Sequence, residues 1–216
     1  MKNKELLSHK ENIVKFSHRS YQKGLCEGTS GNISIRYKEG FLVTASGKNL
    51  GEITLNDVLY VSSRKELLTE SIQKPTSELA MHLALYEKRP DINAIVHAHP
   101  PFCIAFALSG VSLNPPALAE AMMNLGKIPL VEYELPSTQK LADKIAAEAN
   151  NTYALLMANH GAVTLGQNLR EAYYKMETLE SYAHSMFLAK QLGNVNYLCE
   201  EDLKCIENLK NTAYAG

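Results

Sequence analysis

Two features of the sequence predict an α/β protein. Stretches with apolar residues at helical spacing alternate with short, β-branched runs, and those runs are bounded by glycine, proline and small polar residues. The 216 residues suffice for one domain, 1–216, with a sizeable core. A 45% hydrophobic, 21% charged composition with formal net charge -1 is ordinary for a globular chain. No block of Lys and Arg stands out, which argues against a nucleic-acid protein. The apolar runs fall short of a membrane span, and the polar start Met1-Lys2-Asn3-Lys4-Glu5 leads into an amphipathic helix rather than a signal peptide. Cys26, Cys103, Cys199 and Cys205 lack Cys-x-x-Cys spacing, so they read as reduced thiols of a cytoplasmic protein.

Taken in order, residues 4 to 23 carry Leu7, Ile13, Val14, Phe16 and Tyr21 at loosely helical spacing, with Gly24 placed to end the helix. The small-residue run Gly28-Thr29-Ser30-Gly31-Asn32 precedes the alternating strand Ile33-Ser34-Ile35-Arg36. A second such run, Thr44-Ala45-Ser46-Gly47-Lys48, follows the strand Gly40-Phe41-Leu42-Val43. Each is either a plain β-turn or a place where backbone N–H groups converge on an anion. Residues 54 to 61 lead into another strand.

Lys74-Pro75-Thr76-Ser77-Glu78 opens a helix containing Leu79, Leu83 and Tyr86, with Thr76 or Ser77 as the cap. Glu78 in its first turn suits the helix dipole, a structural role sufficient in itself. His82 lies four residues on, on the same face, and reads as a packing or partly solvated residue.

Ala94-Ile95-Val96-His97-Ala98-His99 reads as a buried strand stopped by Pro100-Pro101. Residues two apart in a strand share a face, so His97 and His99 stand side by side, either as half of a divalent metal site or as ordinary strand-end histidines. A short helix runs from Phe102 to Leu108 and ends at Ser109-Gly110. A further helix starts at Pro115-Pro116 and ends at Gly126, with Glu120 inside it as a solvated position lacking an obvious partner. Ile128 to Tyr133 reads as a strand, and Ser137 as the cap of a helix through Leu141, Ile145 and Ala149.

Residues 153 to 165 read as two strands joined at Asn159-His160-Gly161, which puts His160 in a tight turn between buried runs. Asn168 with Glu171 matches a capping box for a long core helix that stops at Gly193 and carries a structural His184. Glu200 to Asn211 suggests a last helix. His97, His99 and His160 can supply three nitrogen ligands and Glu78 a carboxylate, the donor set of a catalytic rather than a structural zinc site.

In order along the chain, the segments Gly28-Thr29-Ser30-Gly31-Asn32-Ile33-Ser34, Ser46-Gly47, Pro75-Thr76-Ser77-Glu78, His97-Ala98-His99 and Asn159-His160-Gly161 resemble the class II aldolase/adducin family, and within it the L-fuculose-phosphate aldolase type. Each motif is weak alone, and the resemblance rests on all five over roughly residues 5 to 195. It implies an α/β/α sandwich around a mostly antiparallel sheet, assembled as a homotetramer with interfacial active sites. It implies Zn²⁺ on His97, His99 and His160, with Glu78 a ligand in the empty site and the base once substrate displaces it. It also implies a substrate phosphate held by Asn32, Ser46, Gly47, Thr76 and Ser77.

The implied reaction splits a ketose 1-phosphate, fuculose 1-phosphate or a related deoxy-ketose phosphate, into dihydroxyacetone phosphate and an aldehyde. The metal acts as Lewis acid toward the enediolate, and a carboxylate moves the proton. Where the aldolases carry a tyrosine from a neighbouring subunit, this chain has Glu120, and Tyr214 is the candidate for a C-terminal tyrosine used by family members. Glu120 resembles the acidic residue of the methylthioribulose-phosphate dehydratases, but those lack the counterpart of Glu78. Pentulose-phosphate 4-epimerases carry aspartate there, adducin-type interaction domains have lost the metal histidines, and a decarboxylase on the same scaffold is a further alternative.

Overall fold

The computed structural model describes residues 2–213, with side chains described for 4–209. Helix α1 (Lys2–Gln22) leads into β1 (Asn32–Tyr37) and β2 (Gly40–Thr44), and a 3-10 turn (Leu55–Asp57) enters β3 (Val58–Ser62). Next come α2 (Leu79–Lys88), β4 (Ala94–Ala98), α3 (Pro101–Ser109), α4 (Ala119–Leu125), β5 (Leu130–Val131) and α5 (Gln139–Glu148). The chain goes on through β6 (Ala154–Met157), β7 (Gly161–Gly166), α6 (Leu169–Leu192) and α7 (Glu200–Ala213). No helix among the described residues is long and apolar enough to cross a membrane.

The seven strands form one sheet in the order β3-β2-β1-β4-β7-β6-β5. Every neighbouring pair is antiparallel except β5 with β6. Strand alternation divides the buried side chains between two faces. Ile33, Ile35, Leu42, Val96 and Leu156 pack with Ile13 and Phe16 of α1 and Tyr173, Met176 and Leu179 of α6. Val43, Leu59, Ile95, Val163 and Leu165 pack with Leu79, Leu85 and Tyr86 of α2 and Leu141 and Ile145 of α5. Burying each such aliphatic side chain is worth about 1.5–3 kcal/mol, so both helical layers are held by the sheet they cover. The result is the α/β/α sandwich.

Several local expectations shift. The strand expected over Ile128 to Tyr133 shrinks to Leu130–Val131, because Pro129 has no N–H to add to a ladder and Tyr133 and Leu135 turn outward. The helix expected at Pro115-Pro116 starts instead at Ala119. Tyr182 holds the intervening segment extended, its hydroxyl donating to the Pro115 carbonyl (3.1 Å) and accepting from the Ala117 N–H (3.3 Å). Neither Thr76 nor Ser77 caps α2; Glu78 occupies that position without a side-chain cap bond. Thr138, not Ser137, caps α5, its hydroxyl oxygen accepting from the Leu141 N–H. Asn168 caps α6 as expected, and Glu171 reaches back to the N–H of Gln167.

Candidate active site

At the β4 end the period of two places His97 and His99 on the α2/α5 face, the face of Ile95. Pro100-Pro101 stops the strand, and Glu180 of α6 fixes the start of α3 by accepting the N–H groups of Phe102 and Cys103, both at 3.0 Å. The His99 N–H donates to the Leu25 carbonyl (2.9 Å), which ties the strand end to the segment after α1. His160 arrives from the β6–β7 turn, where Asn159 takes the left-handed conformation (φ 57). One ligand nitrogen from each of the three histidines lies within 4.8 Å of the others.

The His97 Nδ1–H donates to the Ala162 carbonyl at 2.9 Å, so its Nε2 lone pair is directed away from that bond and stands 3.1 Å from His99 Nε2. Two nitrogens of a tetrahedral Zn²⁺ with bonds of about 2.0–2.1 Å would be roughly 3.3–3.4 Å apart, close to that spacing. Burial holds all three rings below their ordinary pKa of 6.5, His99 at about 4, and at His97 and His99 the neighbouring histidine charges push the same way. At His160 the Glu78 carboxylate opposes burial. Three neutral imidazoles converging at pH 7 are what a divalent ion requires.

Glu78 stands beside this trio rather than within it. Its Oε1 accepts the Ser137 hydroxyl at 2.8 Å, while Oε2 is buried without a partner. Among the described residues five buried side-chain polar atoms lack a hydrogen-bond partner, and two of them, Glu78 Oε2 and His160 Nδ1, belong to this site. An unpaired buried donor or acceptor costs about 1–3 kcal/mol, more if charged. The chemistry of these donors fits a bound divalent cation.

The anion-binding candidates come together around Thr44. Its hydroxyl accepts the Ile33 N–H (3.2 Å), its carbonyl accepts the Thr76 N–H (3.1 Å), and Ser46 donates its N–H to the Lys74 carbonyl (2.9 Å). Asn32, Ser46-Gly47 and Thr76-Ser77 are thereby gathered from three segments. Asn32 also pairs directly with His97 across β1 and β4, which joins the two halves of the site. Gly47 takes φ 70, a conformation that suits glycine. Asp57 anchors the rim: it accepts from Thr54 and Gln73 and pairs with Lys48 Nζ at 2.8 Å. Burial alone would raise the Asp57 pKa, but Lys48 and these donors hold it down at about 2.

The chain matches the model of the Class II Aldolase and Adducin N-terminal domain over residues 11–187. It belongs to the class II aldolase and adducin family. An L-fuculose phosphate aldolase of Methanococcus maripaludis is 35% identical over 182 residues, which are 84% of this chain and 97% of that one. A 3-oxo-tetronate 4-phosphate decarboxylase of Haemophilus influenzae is 32% identical over 208 residues, 94% of this chain and 97% of that one. A solved L-fuculose 1-phosphate aldolase superposes with a TM-score of 0.85 at 31% identity, covering 93% of this chain and 95% of that one.

Within this family fold, Glu120 is exposed in the first turn of α4 and is not among the converging ligand groups. Tyr214 lies outside the described residues. Sequence patterns did not single out Glu180 and marked Ser137 only as a helix cap; of the two readings of His82, packing or partly solvated, the structure bears out the first, since the ring is fully buried. Alternation in Asn32-Ile33-Ser34 was the available signal, since it puts Asn32 and Ser34 on the α2 face, toward His82.

Proposed function

We propose that the chain is a zinc-dependent class II aldolase that cleaves a ketose 1-phosphate reversibly into dihydroxyacetone phosphate and an aldehyde. The convergence of three neutral histidine nitrogens beside a buried, half-satisfied Glu78 carboxylate carries the reading. His97, His99 and His160 hold the ion, with Glu78 as a further ligand before substrate enters. Bound there, Zn²⁺ supplies Lewis acidity for the negative charge that develops on the ketone oxygen.

The chain's own residues do the rest. Asn32, Ser46, Gly47, Thr76 and Ser77 bind the phosphate with neutral donors, which orients the ketone toward Glu78. A base at the far end, Glu120 of a neighbouring subunit with Tyr214 as its companion, takes the proton of the hydroxyl that becomes the aldehyde. The bond beside the ketone breaks, its electron pair stays on the ketone-side carbon, and Glu78 delivers a proton to that carbon. The unit at work is a single domain, in a homotetramer whose interfaces complete the sites.

A second reading has support from the Haemophilus influenzae relative. Loss of CO₂ from a 3-oxo-tetronate 4-phosphate leaves the electron pair on the same carbon and yields dihydroxyacetone phosphate too. The two reactions then differ only in what departs, and the decarboxylation needs no base for a hydroxyl. Incubating the Zn²⁺-loaded protein with dihydroxyacetone phosphate and a panel of aldehydes should give ketose 1-phosphates. Condensation with none of them, together with CO₂ release from a 3-oxo-tetronate 4-phosphate, would replace the aldolase reading with the second.

A further inference from the structure

Four buried polar side chains between the sheet and α2 form a continuous chain, and three of them, Tyr86, Ser34 and His82, have no part in the proposed reaction. The Tyr86 hydroxyl lies 2.9 Å from Ser34 Oγ, Ser34 Oγ lies 2.6 Å from His82 Nδ1, and His82 Nε2 meets Asn32 Oδ1. Tyr86, Ser34, His82 and Asn32 are 1%, 0%, 0% and 6% exposed, so bulk solvent does not reach the chain. Burial lowers the His82 pKa to about 3, and the ring therefore carries one proton at neutral pH.

Counting protons fixes the direction of the chain. If His82 carried its proton on Nδ1, it would donate to Ser34, Ser34 would donate to Tyr86, and the Tyr86 proton would have no acceptor among the described residues. Running the other way, Tyr86 donates to Ser34, Ser34 donates to Nδ1, and the Nε2–H donates to Asn32 Oδ1. Every buried hydroxyl and ring proton then has one acceptor, as burial demands. The amide oxygen of Asn32 is thus held inward.

We propose that Tyr86, Ser34 and His82 are positioning residues: a one-way relay that locks the Asn32 amide with its oxygen inward and its NH₂ free to donate to an anion. The inference rests on the reading of Asn32 as part of the phosphate site. A free asparagine presents oxygen or nitrogen with similar ease, and an oxygen facing a phosphate is repulsive. The relay removes that orientation before the ligand arrives, which lowers the cost of binding.

Two measurements on the intact protein test it. Nitrogen-15 NMR of the His82 ring, assigned by its loss in His82→Gln, should show the neutral tautomer protonated on Nε2; protonation on Nδ1 would overturn the relay. Calorimetry with inorganic phosphate should show Asn32→Ala weakening binding roughly tenfold, the worth of a bond to a charged group. Ser34→Ala should weaken it severalfold alone and not at all on top of Asn32→Ala. His82→Gln, which keeps a donor, should retain more affinity than His82→Phe. If Asn32→Ala weakens phosphate binding while Ser34→Ala and His82→Phe leave it unchanged, the relay fails and the phosphate site stands. If Asn32→Ala itself changes nothing, the phosphate reading falls and takes the relay's purpose with it.

Discussion

Ser137 donates its hydroxyl to Glu78 Oε1 at 2.8 Å from a position 59 residues away, and does so from the left-handed region, φ 66. A non-glycine residue there carries roughly 1–2 kcal/mol of backbone strain, which the fold tolerates at the carboxylate proposed to move the proton. Ser137→Ala should keep the strain and lose the bond, lowering kcat about tenfold with zinc content unchanged. Ser137→Gly should match it in rate while melting higher. Steady-state kinetics, metal analysis and thermal denaturation check the pair.

Gly161 lies directly beneath two imidazoles. A methyl group there would stand 2.7 Å from the Ala98 carbonyl oxygen and 2.8 Å from His99 Cδ2. Backbone cannot yield cheaply, so the ring has to move. Gly161→Ala should cost about 1–3 kcal/mol of stability and weaken zinc binding some tenfold or more. Denaturant titration and competition with a chelating dye read the two effects separately.

Much of this site was legible because strand periodicity acts locally. His97 and His99 share a face by the rule of alternation, and Asn159-His160-Gly161 is turn chemistry between two apolar runs. What escaped depends on contacts distant in sequence. His82 sits 48 positions from Ser34 and 50 from Asn32, and nothing in its own helix reveals that it is fully buried and paired. The late start of α4 was hidden for the same reason, because a hydroxyl on α6 decides it, whereas the shortening of β5 had a local signal in Pro129.

His82 gives stability a pH dependence with a definite sign. The folded ring titrates at about 3 and the unfolded one at about 6.5, so below 6.5 the unfolded chain binds a proton that the native chain refuses. Its contribution is fully present above pH 6.5 and is lost as pH falls toward 3. Wild-type unfolding free energy should drop more steeply across that window than that of His82→Gln, by up to ~1.4 kcal/mol per pH unit. Urea titrations at stepped pH measure the difference.

Purified protein should carry about one Zn²⁺ per chain, and chelation should abolish turnover. His97→Ala and His160→Ala should each lose the ion. Either variant binding zinc normally, by elemental analysis of folded protein, would mean the ligands are misassigned.

The proposed division of labour places Glu78 at the carbon beside the ketone and Glu120 at the aldehyde end. NMR of dihydroxyacetone phosphate in deuterated buffer separates these half-reactions, because α-proton exchange needs the first group and not the second. Glu78→Gln should retain zinc and lose exchange. Glu120→Gln should keep exchange and lose carbon–carbon cleavage. Exchange that survives in Glu78→Gln, or that disappears only in Glu120→Gln, would contradict the assignment.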